Sequence, residues 1–439
     1  MARRRRHPPL NIFLNGRLVG RLRRESSGAI DFQYDDTWLS WENAIPVSLS
    51  LPLREDRFIG APIIAVFDNL LPDNDAIRRR LAERAGAEGQ DAYSLLTAVG
   101  RDCVGALQFL PDGMEPEALD KVKGRGIDEE GIAGILANLE RSPLGVGDDK
   151  DFRISIAGAQ EKTALLYWRK RWLVPHGTTA TTHILKPQIG KLESGIDLSQ
   201  SVENEHLCLQ LVKAFGIPAA HSEIADFAGR RALVVERFDR RRTRDQRLLR
   251  LPQEDCCQAL SVPPTLKYQS DGGPGIRQIA DLLKGSDTPA KDQMLFLKAQ
   301  AVFWLLAATD GHAKNFSIHL ATGGRFHLAP LYDVVSAQPS IDANEIRHNQ
   351  AKLAMSVGKN RHYVLGRIMP RHFLQTAGLC GISLASTNAM LEELGDTGVA
   401  AIDKVLAGLP SDFPQAIAAS IAEGAKTRLG QIDAFAAVD

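Results

Sequence analysis

Alternation and helical periodicity divide the chain into a strand-rich first part and a largely helical second part. Around residues 10–22 apolar positions flank Asn15-Gly16, the dipeptide that most strongly marks a two-residue hairpin turn. "IPVSLSLPL" (45–53) alternates in the same way and predicts a further strand. "IIAVFDNLLPDNDAIRRRLAERAG" predicts a helix, a break at Pro72, and a second helix that starts near Asp73 or Asn74 and stops at Gly86. Residues 119–139 read as helical in large part. The polar, Gly- and Pro-bearing "RSPLGVGDDK" that follows sets a domain boundary near residue 147.

Beyond it, "FRISIAG", "KTALLYW", "RWLVP" and "THILKP" are short β-type runs, with Arg169-Lys170 as a hairpin turn. A helix is predicted over 201–215 with Gly216 at its end, and then the strand "RALVVERF". After Gln253 the pattern is mainly helical up to Leu306, and again after about residue 370. One hairpin interrupts it: "FSIHL", the turn "ATGG", and "RFHLAPLYDVV". This order predicts an α+β fold: an N-terminal α/β subdomain over 1–147, then a core over 148–439. The core comprises nucleotide-binding strands to about 238 and a helical part from about 239. A ligand cleft between two lobes suits such an order.

Composition narrows the class of protein. The chain has 439 residues, 44% apolar and 24% charged, which is ordinary for a folded globular protein. Its 53 basic and 53 acidic residues cancel, so net charge gives no reason to expect a nucleic acid or membrane partner. Cys103, Cys208, Cys256, Cys257 and Cys380 lack metal-site or disulfide-framework spacing and fit a reducing compartment. The basic start "MARRRRHPP" has no apolar segment of signal-peptide length behind it, and a cytoplasmic location is expected.

The candidate chemistry is phosphoryl transfer, which needs a base, oxygen ligands for Mg²⁺, a lysine for the phosphates and a covering loop. In "SIAGAQEKT" the small residues Ala157, Gly158 and Ala159 could let backbone N–H groups approach an anion, although an ordinary turn would look the same. Lys186 ends "THILK", where it could reach solvent or meet phosphates. Glu205 shares the apolar face of its helix with Cys208, Leu209 and Val212, whereas Glu203 points the other way. A glutamate there wants a cation, and Lys186, 19 residues earlier, is suitably placed to supply one. "LVVERF" breaks at Glu236-Arg237-Phe238, the position of an adenine-holding connection. The run "DQMLFLKAQAVFWLLAATD" is apolar on nearly every side and predicts a buried helix that delivers Asp310 at its end. Asp310-Gly311-His312-Ala313-Lys314-Asn315 is a set of turn residues. It also matches the kinase spacing of a catalytic aspartate and a metal-binding asparagine, and the hairpin after it ends in Tyr332-Asp333. Each feature is common alone; their order is not.

Taken together, "FDNLLPDN", "GRDCVGAL", "DFRISIAGAQEKTALL", "DLSQSVENE", "LRLPQED", "SDGGPGI", "ATDGHAKNFS" and "LYDVVSA" make the chain resemble the HipA family, the serine/threonine kinase toxins of toxin–antitoxin modules. The resemblance covers nearly the whole chain and implies a bilobal protein-kinase-like α+β fold. It implies Asp310 as catalytic base, Asn315 and Asp333 as Mg²⁺ ligands, and Lys186 on the ATP phosphates. It also implies a phosphate loop of Ile156, Ala157, Gly158, Ala159, Gln160 and Glu161. Glu236, Arg237 and Phe238 would line the adenine site, with His312, Ala313, Lys314 and Tyr332 beside the nucleotide. Ser155 would be the autophosphorylated serine, and Glu205 the structural ion-pair partner. The implied substrate is an aminoacyl-tRNA synthetase, most often the glutamyl enzyme, and the implied partner a HipB-like DNA-binding antitoxin. Residues 376–381 ("TAGLCG") lack the basic residues of the family's well-studied toxin, so operator DNA would be reached mainly through the antitoxin. Residues 341–362 also depart from the family pattern. A small-molecule or lipid kinase with the same site, or a non-catalytic nucleotide-binding corepressor, would carry the same local motifs.

Overall fold

Asn15 and Gly16 adopt φ of 46° and 86°, the left-handed pair that a tight hairpin requires. The turn joins Leu10–Leu14 to Arg17–Arg24 and so fixes which residues of the two strands face each other. Phe58–Ile59, Ile30–Tyr34, Arg17–Arg24, Leu10–Leu14 and Leu107–Pro111 lie side by side in that order as one antiparallel sheet. Leu10, Ile12, Val19, Leu22, Phe32 and Trp38 of this region are buried in a shared apolar core. The computed structural model describes residues 7–145, 154–158 and 160–436. They fall into two compact units. The first runs to Pro187 and includes Ala225–Thr265 and Ile318–Phe326; the second holds Gln188–Ile224, Leu266–Ser317 and the chain from His327 onward.

Several expected elements form. Ala61–Asp68 and Asp75–Ala85 flank the Pro72 break, Asn74 caps the second helix through its side chain, and Gly86 ends it at φ 68°. Thr163–Trp168 and Arg171–Pro175 form the hairpin turned by Arg169 and Lys170, at φ 50° and 64°. In the second sheet of the first unit, Arg230–Glu236, His183–Pro187, Thr163–Trp168, Arg171–Pro175 and Gly124–Gly126 are neighbours in that order.

Three expectations are corrected. Residues 45–53 form no strand, only a Ser48–Leu51 bridge, because side chains claim their backbone. The Tyr34 hydroxyl accepts from the Val47 N–H at 2.8 Å and donates to the Leu51 carbonyl at 2.5 Å, and Glu254 Oε1 accepts from the Leu49 N–H at 2.8 Å. The region 119–139 is helical only over Glu129–Ala137, because Gly124–Gly126 pairs as an edge strand with Arg171–Pro175. In "FRISIAG" the described part, 154–158, makes isolated parallel bridges, Ile154 to Asp102 and Gly158 to Pro72, in place of a strand.

A cluster of buried charges lies within the first unit. Asp102 accepts from Arg240 at 2.9 Å, Arg250 at 3.0 Å and Arg237 at 3.3 Å, and Asp239 pairs with Arg237 at 2.8 Å. Each of these side chains is at most 5% exposed, so water does not screen them. Spare guanidinium donors reach the carbonyls of Cys103, Gly105 and Thr178. Burial alone would raise the Asp102 pKa; the attraction of Arg240, Arg250 and Arg237 outweighs it and holds the carboxyl far below its ordinary value.

The second unit is mainly helical: Ser201–Ala214, Ile276–Leu283, Pro289–Leu305, Pro370–Cys380, Leu384–Ala407 and Gln415–Ala436. From Phe296 onward Pro289–Leu305 is buried as its apolar run requires, with Phe296, Leu297, Val302 and Trp304 sealed from solvent. Among the described residues no helix is long and apolar enough to cross a membrane.

Asp102 and Glu254 are both buried carboxyl groups, one held charged and the other held neutral. Asp102→Asn leaves three buried arginines facing one aspartate and is expected to destabilise the fold by about 3–5 kcal/mol, measured by denaturant unfolding. Burial pushes the Glu254 carboxyl up from 4.5 to about 8. The folded chain then holds a proton that the unfolded chain has lost, so stability falls as pH rises from about 4.5 to 8. Glu254→Gln should flatten that part of the curve of melting temperature against pH, and an unchanged slope would refute the assignment.

Candidate active site

The helix expected to deliver Asp310 stops earlier than its apolar pattern suggests. Pro289–Leu305 closes with Ala307 at φ 51°, its N–H bonded to the Trp304 carbonyl and the Ala308 N–H bonded to the Phe303 carbonyl. This is the left-handed Schellman closure, here built on alanine instead of glycine. Four residues separate the helix end from Asp310, and they turn the chain back over the helix. Gly311 then lies so close to Phe303 that a Cβ would come within 2.3 Å of its ring. The glycine of the motif is therefore a packing requirement.

Within this loop the carboxylate of Asp310 is exposed, while His312, Ala313, Lys314 and Asn315 are buried. Asn315 Nδ2 donates to the Asp310 carbonyl at 2.8 Å, which fixes the amide and leaves its Oδ1 as the acceptor available to a cation. The Asp310 carbonyl also accepts from the His312 N–H at 2.8 Å. Tyr332 ties the later hairpin to the loop: its hydroxyl donates to the Lys314 carbonyl at 2.8 Å and lies 2.5 Å from Ser317 Oγ. Asp333 follows at φ 59°, a left-handed conformation that is costly for a non-glycine residue and recurs at functional sites.

Asn204 holds the segment just beyond Asp333. Its Nδ2 donates to the Ser336 carbonyl and its Oδ1 accepts from the Ser336 N–H, both at 2.8 Å. Ser336 Oγ donates to the Leu306 carbonyl at 2.6 Å, joining that segment to the end of the buried helix. Glu205, the next residue of the Asn204 helix, is buried as expected. Glu203 is buried too, and its Oε2 accepts from Gln188 Nε2 at 2.7 Å. The expectation that Glu203 faces away from the buried side is thus overturned, since this helix is enclosed on more than one face.

The first unit carries the phosphate-loop and adenine candidates. Ser155 is fully buried; its N–H donates to the Asp102 carbonyl at 2.9 Å and its hydroxyl to the Leu70 carbonyl at 2.8 Å. Ile156 is buried, and Gly158 has φ 112°, where a Cβ would meet Lys162 Nζ at 2.4 Å. Lys162 Nζ donates to the Ala157 carbonyl at 2.8 Å, and Gln160 Nε2 to the Pro187 carbonyl at 3.3 Å, next to buried Lys186. Glu161 pairs with Arg80 at 2.9 Å; burial pushes its carboxyl up against the pull of that arginine. Ala159 lies outside the described residues.

At the adenine position Glu236 is exposed and Phe238 half-buried, the latter edge-on to His319 with ring centres 5.6 Å apart. Arg237 differs from both. Its side chain belongs to the Asp102 cluster, its N–H donates to the Thr182 carbonyl, and its carbonyl accepts from the Arg240 N–H. Among the described residues no group of three or more His, Cys, Asp or Glu side chains could hold a metal ion. An asparagine amide and one aspartate do suit Mg²⁺, which keeps waters and takes phosphate oxygens as further ligands. Lys162, Asn204 and Tyr332's link to Lys314 carry no periodic signal of their own, and only their place inside the longer motifs could have singled them out.

Family models for the HipA N-terminal domain and the HipA-like C-terminal domain match residues 10–110 and 154–402. Y4mE of Sinorhizobium fredii is 36% identical over 401 residues, covering 90% of this chain and 91% of that one. The serine/threonine-protein kinase toxin HipA of Shewanella oneidensis is 30% identical over 344 residues, 74% of this chain and 75% of the toxin. A solved structure of Shewanella oneidensis HipA with HipB and operator DNA superposes with a TM-score of 0.80 at 25% identity, covering 97% of this chain and 98% of that one. The kinase-like α+β fold expected from the sequence is thereby shown, and a kinase of this family uses ATP. The chain belongs to the HipA family of serine/threonine-protein kinase toxins.

Proposed function

We propose that the chain transfers the γ-phosphoryl group of ATP to a serine of a protein substrate, with Asp310 as the base. In this reading the serine oxygen bonds to the γ-phosphorus as the bond to the β,γ-bridging oxygen breaks. ADP leaves, and the hydroxyl proton passes to the Asp310 carboxylate. The observation that carries the reading is the fixed loop: an exposed Asp310 carboxylate, an Asn315 amide anchored on the Asp310 carbonyl, and Tyr332 bonded to Lys314 so that Asp333 follows directly.

Asn315 and Asp333 would hold Mg²⁺. When bound, that ion neutralises charge on the phosphate oxygens. Lys186 would contact the phosphates, with Glu205 as its ion-pair partner. Ile156 to Glu161 would cover the phosphates, with Gly158 the residue whose backbone comes nearest. Glu236 and Phe238 would line the adenine site, Arg237 acting there by holding the segment in place. His312, Ala313, Lys314 and Tyr332 would lie beside the nucleotide.

The finer reading extends to substrate and partner. An aminoacyl-tRNA synthetase, the glutamyl enzyme first, is the proposed substrate, and its modification would halt translation in the cytoplasm. A HipB-like antitoxin is the proposed partner, supported by the HipB complex of the Shewanella relative, and would bring the chain to operator DNA. Residues 1–147 would form the N-terminal subdomain and 148–439 the kinase core. Ser155 is the proposed site of autophosphorylation.

Incubating the chain with Mg-ATP and a bacterial lysate, then mapping phosphoserines by mass spectrometry, tests this. Asp310→Asn and Asp333→Ala should each lower transfer by orders of magnitude while leaving the fold intact. Wild-type transfer in either variant would refute its role. Phosphate on a small molecule or lipid with no phosphoprotein would shift the substrate class, and a chain that binds ATP without any transfer would favour the corepressor reading.

A further inference from the structure

The sequence motif "SDGGPGI" has no part in the chemistry proposed above, yet its glycines are tightly constrained. A Cβ on Gly273 would lie 1.8 Å from the Leu266 carbonyl oxygen, and one on Gly275 2.3 Å from Gln269 Nε2. Gly272 sits at φ 95°, and the Gly273 N–H donates to the Tyr268 carbonyl at 3.0 Å. The glycines thus fold the loop tightly back on residues 266–269. From the other side Gln269 Oε1 accepts from the Ser356 N–H at 2.7 Å. The Lys267 carbonyl accepts from the Ala313 N–H at 3.3 Å, inside the Asp310 loop itself. These contacts immobilise the backbone on both sides of one side chain, Tyr268.

Tyr268 meets the edge of the His312 ring at 4.8 Å between ring centres, with an interplanar angle of 83°. Its hydroxyl donates to Asp310 Oδ1 at 2.5 Å. Among the described residues the other oxygen, Oδ2, accepts no hydrogen bond. An exposed aspartate otherwise rotates freely about χ1 and χ2, and a base must lie within hydrogen-bond reach of the proton it takes.

We propose that Tyr268 is the positioning residue of this kinase: it clamps Oδ1 so that Oδ2 of Asp310 faces the acceptor hydroxyl. The inference rests on Asp310 being the base. It assigns the SDGGPG loop the task of holding the clamp.

The test compares the full chain with Tyr268→Phe, Asp310→Asn and the double variant, reading initial ADP formation from Mg-ATP and the KM for ATP. Tyr268→Phe keeps the ring on His312 and should lower kcat about 10- to 100-fold, the range spanned by a hydrogen bond to a charged group, with KM for ATP unchanged. In the Asp310→Asn background it should cost nothing further, because the clamp acts only through that carboxylate. All four proteins are assayed at a temperature where circular dichroism shows them folded. An undiminished or increased kcat, a loss confined to KM, or a loss additive with Asp310→Asn would overturn the proposal. If Asp310→Asn itself keeps wild-type kcat, the base assignment fails instead.

Discussion

The carboxylate of Asp102 is the point on which the first unit depends. Three guanidinium groups converge on it, and the arginines that supply them also bond the carbonyls of Cys103, Gly105 and Thr178. A buried ion cluster of this kind adds little net stability, because desolvation offsets the Coulomb attraction. Its effect is to fix the relative placement of segments far apart in sequence. The Asp102 carbonyl receives the Ser155 N–H, and Arg237 stands between the adenine candidates Glu236 and Phe238. One charge cluster therefore sets both candidate segments of the unit.

The second unit reaches comparable precision by a different route. A helix sealed in apolar packing ends in a Schellman turn, and Phe303 leaves room for nothing larger than glycine at position 311. Asn204 and Ser336 then bind the Asp333 segment to the same helix end. Here Asn204, Ser336, Asn315 and Tyr332 each bond a backbone group of these segments, which a buried chain must otherwise leave without a partner. Apolar burial supplies the rigid base, and single hydrogen bonds define the loop geometry on it.

Legibility in the sequence follows the same division. The hairpin at Asn15-Gly16, the helix ended by Gly86 and the enclosed Pro289–Leu305 were readable because local chemistry decides each of them. So was the run from Asp310 to Asn315, since the motif is contiguous. Residues 45–53 alternate like a strand, but Tyr34 and Glu254, distant in sequence, take their backbone groups. The early stop at Leu305 was hidden because Ala307 adopts a conformation its residue type does not announce. Arg237 looked like part of a ligand-facing connection, and only the fold shows its charge turned inward to Asp102. Tyr268 was invisible because no periodicity links residue 268 to residue 310.

The burial of Ser155 bears on how such a kinase could be silenced. Its hydroxyl already donates to the Leu70 carbonyl in a space closed to solvent, and its own N–H sits on the Asp102 backbone. A phosphate there would add about −1.5 to −2 charges. The nearby carbonyls are acceptors and cannot bond it, and the Asp102 guanidinium partners are already engaged. A phosphorylated Ser155 would therefore have to leave its place. Residues 156–158 would move with it, breaking the bond from Lys162 to the Ala157 carbonyl and the bridge from Gly158 to Pro72. If Ser155 is the modified residue, inactivation needs no separate inhibitory element: the buried hydroxyl is compatible with the ordered loop, and the phosphate is not.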